Sequence, residues 1–223
     1  MKAIIFDMDG TLTDSEKDWT LSTLRLLERQ GIPEERGMAA PWFVPSCGAA
    51  MKNYLASPEC RLSWDLETCQ NWCKNYMYNE IYPKGVPLKP QALETLETVW
   101  ELKIPACLLS ATEKQALHYT LYKLNLLPYF VFWESTCNQP VNKHHVELFE
   151  RSARRMGVET SDCVVIEDSL YSMKTAKRAG CRVWAIADDK HAADRETIRA
   201  LADRYFENHV EMCRALRENF FTD

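Results

Sequence analysis

Phe6-Asp7-Met8-Asp9-Gly10-Thr11-Leu12-Thr13-Asp14 decides the fold of this chain. The apolar run Lys2-Ala3-Ile4-Ile5-Phe6 reads as a buried strand, and it ends where two carboxylates sit two residues apart before a glycine. In open α/β sheets that carboxyl-terminal edge is where ligands bind. Residues two apart on extended backbone point the same way, so Asp7 and Asp9 can face one ligand before the chain turns at Gly10. Two anions held together call for a cation, and a donor set made only of oxygen suits Mg²⁺.

Four further apolar runs read as strands: Ile104–Ser110, Phe130–Trp133, Cys163–Glu167 and Arg182–Ala187, with Lys2–Asp7 the first. Helical patterns alternate with them at Gln115–Leu126, His145–Met156 and Ser169–Ala179, the last stopped by Gly180. Strand alternating with helix predicts a parallel sheet covered on both faces. The interval from Ser15 to Leu88 differs, with helix-forming stretches at Asp18–Gln30 and around Trp64–Glu80 and no convincing buried strand. Gly37 to Pro45 reads as a loop inside it, and Tyr82–Pro87 as a linker back, with Pro90 near the start of the next helix. The expected organisation is therefore an α/β Rossmann-like core from residues 1–14 and 88–223, with an all-helical cap inserted at 15–87.

The chain has 223 residues, 46% of them hydrophobic, enough for a substantial core. Its 27 basic and 32 acidic residues give a formal charge of −5, which offers no footprint for nucleic acid or an anionic membrane. No apolar run is long enough to span a bilayer and no signal-peptide pattern is evident. Nine scattered cysteines without such a signal read as reduced thiols in a cytoplasmic protein. Cys107, Cys163 and Cys181 read as small core residues, and Cys69 with Cys73 as a pair sharing one helix face.

Chemically, one carboxylate of such a pair can attack phosphorus, while its neighbour protonates the leaving oxygen and then activates water. Three further segments stand at compatible places. Leu108-Leu109-Ser110-Ala111-Thr112 ends a strand in a hydroxyl, Asn142-Lys143-His144-His145 carries a lysine after the third strand, and Val164-Val165-Ile166-Glu167-Asp168-Ser169 closes the fourth strand with two acids. Alone, Ser110 is an ordinary turn residue, Lys143 a solvated lysine, and the acids a helix cap.

Together with Asp7–Thr11, these segments make the chain resemble the haloacid dehalogenase-like phosphatases and phosphomutases. The resemblance covers residues 1 to about 14 and 90 to about 189, with the insert alike only in position and character. It implies Asp7 as nucleophile, Asp9 as acid/base and Lys143 as the neutralising cation. It implies Ser110, Ala111, Gly10 and Lys114 around the phosphate. It implies Mg²⁺ held by Asp7, Asp9 through its carbonyl, Asp168 directly, and Glu167 through water or by orienting Lys143. Two departures stand out: His144 follows the lysine where proline is usual, and Ser172 occupies a place usually taken by glycine.

The pattern is similar to the β-phosphoglucomutase and phosphoglycolate phosphatase branch, in which a cap closes over small phosphate esters. Trp19 stands where the mutases carry histidine, and Pro45-Ser46-Cys47-Gly48 lacks their arginine. A phosphatase acting on a small phosphate ester is therefore expected before a phosphomutase or a non-catalytic phosphoester binder. Trp42 and Phe43 are the cap aromatics placed to meet substrate, and Lys17 and Lys52 its candidate cations. A monomer or weak homo-oligomer is expected.

Overall fold

The structure, a computed structural model, describes residues 1–32, 55–56 and 60–220. The expected loop at 37–45, with Trp42 and Phe43, and the positions 45–48 and Lys52 lie outside the described residues. The chain divides into two compact units, Ser15–Val86 and the remainder, Met1–Asp14 with Pro87–Asp223.

The smaller unit carries no strand among its described residues. Helix α1 spans Glu16–Arg29 and α2 spans Leu66–Tyr76, followed by a π-helical turn at Met77–Ile81 and a short 3-10 turn at Tyr82–Lys84. Helix covers the stretch expected around Trp64–Glu80, changing to π pitch at Met77. Asp65 takes the N-cap, its carboxylate accepting the Thr68 N–H at 2.8 Å, so Trp64 stays outside α2. Cys69 and Cys73 share the buried face of α2, packed with Leu26, Leu27 and Ile32. Burial pushes both thiols up to about 11, and they donate to the carbonyls of Trp64 and Ser22. They are core residues, as their i, i+4 spacing on an amphipathic helix favours.

The larger unit is a six-stranded, fully parallel sheet: β1 (Ala3–Phe6), β2 (Ala106–Ser110), β3 (Phe132–Ser135), β4 (Cys163–Glu167), β5 (Arg182–Ile186) and β6 (Arg204–Phe206). The strand order is β3-β2-β1-β4-β5-β6. The first five strands are those expected, with ends shifted by at most two residues, and β6 is an addition to them. The sheet alternates with period two. Ala3, Ile5, Cys107, Leu109, Cys163, Val165, Val183 and Ala185 join one buried cluster, which leaves Ile4, Phe6, Leu108, Val164 and Ile166 to the opposite, equally buried face.

Six helices cover the sheet: α3 (Ala92–Glu101), α4 (Lys114–Lys123), α5 (Val146–Arg155), α6 (Leu170–Arg178), α7 (Arg195–Leu201) and α8 (His209–Phe220). Leu148, Phe149 and Ala153 of α5, Met173 and Ala176 of α6 and Ile198 of α7 belong to the first cluster. Helices α3 and α8 pack on each other. No disulfide forms among the described cysteines, and no described helix is long and apolar enough to cross a membrane.

His209, at the start of α8, is 1% exposed. The Thr11 carbonyl, 2.9 Å from Nε2, can only accept, so Nε2 carries the proton and Nδ1 accepts from the Thr95 hydroxyl at 2.9 Å. Burial pushes the imidazole down to about 4 from its ordinary 6.5. The unfolded chain therefore takes up a proton here near pH 6.5 that the folded chain refuses until near pH 4. The stability contributed is complete above pH 6.5 and is lost as pH falls toward 4, up to about 3 kcal/mol. Urea unfolding at pH 7, 6 and 5 should show a falling midpoint in the native protein and a shallower fall in His209→Gln, whose amide can make both bonds without titrating.

Candidate active site

The sheet order reverses direction between β1 and β4, and in open α/β sheets the crevice beyond the carboxyl ends of such strands is the binding place. Phe6 pairs with Ile166, so the residues that follow, Asp7 and Glu167, emerge side by side. The Asp7 N–H continues the ladder by donating to the Ile166 carbonyl at 3.0 Å. Both side chains are buried, as are Asp168 and Lys143. One carboxylate oxygen from each of Asp7, Glu167 and Asp168 lies within 4.8 Å of the others.

Lys143 reaches this cluster from the loop before α5. Its ammonium donates to Asp7 Oδ1 and, at 2.8 Å, to Glu167 Oε1. Glu167 Oε2 accepts the N–H groups of Asp168 at 2.9 Å and Ser169 at 3.1 Å, so both oxygens of this carboxylate are engaged. Asp168 Oδ1 accepts from Thr11 Oγ1 at 3.4 Å and Ser169 Oγ at 3.5 Å, and Oδ2 lies 3.3 Å from His191 Nε2.

Three buried carboxylates thus face one ammonium. Burial first, and then the charge of Glu167, raise the Asp7 carboxyl well above its usual range against the pull of Lys143. Burial likewise raises Glu167, with Lys143 opposing and Asp168 adding to the effect. Burial alone would lower Lys143, but the Asp7 and Glu167 carboxylates outweigh it and hold the ammonium protonated. The all-oxygen donors and the excess of negative charge fit a hard divalent cation.

Between the strands' ends, Met8 to Thr13 forms a tight loop. The Met8 carbonyl accepts N–H groups from Thr11, Leu12 and Thr13 at 3.3, 2.8 and 2.9 Å, and the Thr13 hydroxyl at 3.2 Å. Gly10 turns the loop with φ +83°, and a Cβ there would run into the Asp168 carboxylate, 2.9 Å from its carbon. Glycine at this position is thus required twice over, by backbone and by space.

Asp9 does not contribute a side-chain oxygen to the buried triple. Its Oδ2 accepts from the hydroxyls of Thr112 and, at 3.5 Å, Ser110. Ser110 is buried at the end of β2, while Ala111 is exposed in the turn that follows. Lys114, at the start of α4, is exposed, and no hydrogen bond or ion pair of the described residues joins it to the cluster. Sequence reasoning singled out neither Thr112 nor His191. Thr112 stood inside a segment already noticed, but nothing in its spacing marks a bond to a residue 103 positions away.

A family model described as haloacid dehalogenase-like hydrolase matches residues 1–180. Hexitol phosphatase B of Escherichia coli strain K12 is 27% identical over 182 residues, 81% of each chain. A Drosophila melanogaster protein named "Probable pseudouridine-5'-phosphatase" is 27% identical over 219 residues, 89% of each. Among solved structures, a Deinococcus radiodurans hydrolase of the same family with bound phosphate and sodium superposes with a TM-score of 0.77 at 24% identity, covering 98% of this chain and 96% of its own.

A cation held by the cluster stabilises the folded chain by mass action, about 2.7 kcal/mol at a hundredfold excess over its Kd, or a few degrees in Tm. Millimolar Mg²⁺ should therefore raise the Tm measured in chelator. Asp168→Asn should lose that increment without losing the fold, because it removes one of three mutually repelling buried carboxylates.

Proposed function

Because the chain belongs to the haloacid dehalogenase-like hydrolase family, we propose that it is a magnesium-dependent phosphatase of small phosphorylated metabolites, working through an aspartyl-phosphate on Asp7. The observation that carries this reading is the meeting of Asp7 with Lys143, Glu167 and Asp168 at the reversal point of the sheet, with Asp9, two residues after Asp7, hydrogen-bonded to the hydroxyls of Thr112 and Ser110.

In this reading the Asp7 carboxylate attacks phosphorus and the ester oxygen departs with a proton from Asp9. Asp9 then takes a proton from the water that attacks the aspartyl-phosphate, releasing inorganic phosphate and restoring Asp7. Lys143 balances charge on Asp7 and on the transferring group, and Glu167 fixes Lys143 by the 2.8 Å bond to its ammonium. Ser110 Oγ, with the backbone about Gly10 and Ala111, serves the phosphoryl oxygens. Mg²⁺, held by Asp7, Asp168 and the Asp9 carbonyl, would neutralise phosphoryl charge when bound. Lys114, exposed at the start of α4, is at most an outer contact for a distal anion.

Relatives named for a hexitol and for pseudouridine-5'-phosphate support a phosphomonoester of a polyol or sugar as the substrate class. The test is phosphate release from a panel of hexitol, sugar and nucleoside monophosphates with phosphoglycolate, in Mg²⁺ and in chelator. We expect Mg²⁺-dependent release, and a loss of about 10³-fold or more in Asp7→Asn, whose amide keeps size but cannot attack phosphorus. Native-level turnover by that variant would remove Asp7 as nucleophile, and an inert native protein would overturn the reading.

A further inference from the structure

We propose that Thr112 positions Asp9 for proton transfer, a role that rests on the phosphatase reading above. Asp9, outside the buried triple, is bonded to Thr112 Oγ1 and, at 3.5 Å, to Ser110 Oγ. The two hydroxyls differ in what else they have to do. Ser110 is assigned to the phosphoryl group, so its single proton turns to a phosphoryl oxygen when substrate binds. Thr112 keeps its proton on Asp9.

Thr112 is built to stay in place. It is 4% exposed. Its N–H donates to Ser110 Oγ at 2.9 Å, and its carbonyl accepts from Ser135 Oγ at 2.6 Å. Ser135 stands at the end of β3, register-paired with Ser110 at the end of β2, and its oxygen accepts the Cys137 N–H at 3.3 Å. Both backbone polar groups of Thr112 are therefore fixed by side chains anchored on two neighbouring strands. Threonine also restricts χ1 by its branched Cβ, so the direction of Oγ1 is set by the fold.

A hydroxyl that anchors one carboxylate oxygen fixes the plane of the carboxyl group. The proton that Asp9 carries on its other oxygen is then delivered along one direction, to the ester oxygen as the P–O bond breaks. Errors in such placement cost up to about 10²-fold in rate. They cost little when the leaving oxygen needs no proton, as with a nitrophenolate.

The experiment compares the native protein, Thr112→Val and Thr112→Ser on 4-nitrophenyl phosphate and on the best alkyl phosphate of the panel. The quantity is kcat/KM, which reports the transfer to Asp7 and not the later hydrolysis in which Asp9 serves both substrates alike. Thr112→Val should lose about 10- to 100-fold on the alkyl ester and less than about threefold on the aryl ester. Thr112→Ser should stay within about threefold of native on both. Equal losses on the two esters would overturn the proposal, because a merely structural residue does not sense the leaving group. Urea midpoints add a readout free of activity: the shift caused by Thr112→Val should vanish in an Asp9→Ala background, and additive shifts would overturn the contact itself. A native protein that hydrolyses neither ester removes the phosphatase reading and this role with it, whatever the midpoints show.

Discussion

Everything at this site follows from forcing like charges together where water is scarce. Asp7 and Glu167 succeed Phe6 and Ile166, a register pair in adjacent parallel strands, so the hydrophobic fit that aligns β1 with β4 also sets two carboxylates side by side. A slip of one residue would exchange every side chain of the strand between two buried faces and undo the packing fitted to each, so the register of the acids is guarded by the whole core. Asp7 has the parity of Ala3 and Ile5, and Glu167 that of Val165, all on the face covered by α5 and α6. Lys143 precedes α5, and so the ammonium arrives from the side toward which these acids point.

The same logic explains why the loop after Asp7 is so heavily bonded. Repulsion would spread the acids unless the backbone between them were fixed, and the Met8 carbonyl gathers four donors within five residues. Groups far along the chain hold the outer side: His209 donates to the Thr11 carbonyl, and the Lys89 N–H to that of Leu12 at 2.8 Å. Each such bond contributes about 1 kcal/mol net, but a buried carbonyl left without a donor costs more. Helix α8, remote from the chemistry in sequence, is thus part of the support of the nucleophile loop.

What the sequence made legible was whatever local pattern encodes. Apolar runs ending in Asp7, Ser110 and Glu167 are visible as strand ends, and strand ends in a parallel sheet converge on one edge whatever their separation in sequence. Strand β6 escaped because Arg204-Tyr205-Phe206 is three residues long and carries no buried run. Edge strands need apolar contact on fewer sides, so composition does not announce them. Thr112 and His209 escaped for another reason: their partners are 103 and 198 residues away, and a single hydrogen bond across such a distance leaves no periodicity. Lys114 owes its place near the phosphate to the resemblance alone, and in the structure the N-cap at Glu113 makes it the first, exposed position of α4.

The residue after Lys143 shows how a departure from a family's usual pattern can leave geometry intact. A proline there would stiffen the turn, and His144 does not. Here the stiffness comes from Asn142, whose side-chain oxygen accepts the His144 N–H at 3.1 Å while its carbonyl accepts the His145 N–H at 2.9 Å. The His144 carbonyl accepts from Arg178 Nη2 at 3.2 Å, and its ring stacks on Tyr171 with centroids 4.5 Å apart. Tyr171 and Arg178 both belong to α6, the helix that begins just after Asp168. The lysine turn is thereby tied to the element that follows the acidic pair, and the ammonium and its carboxylates are held by one continuous set of contacts.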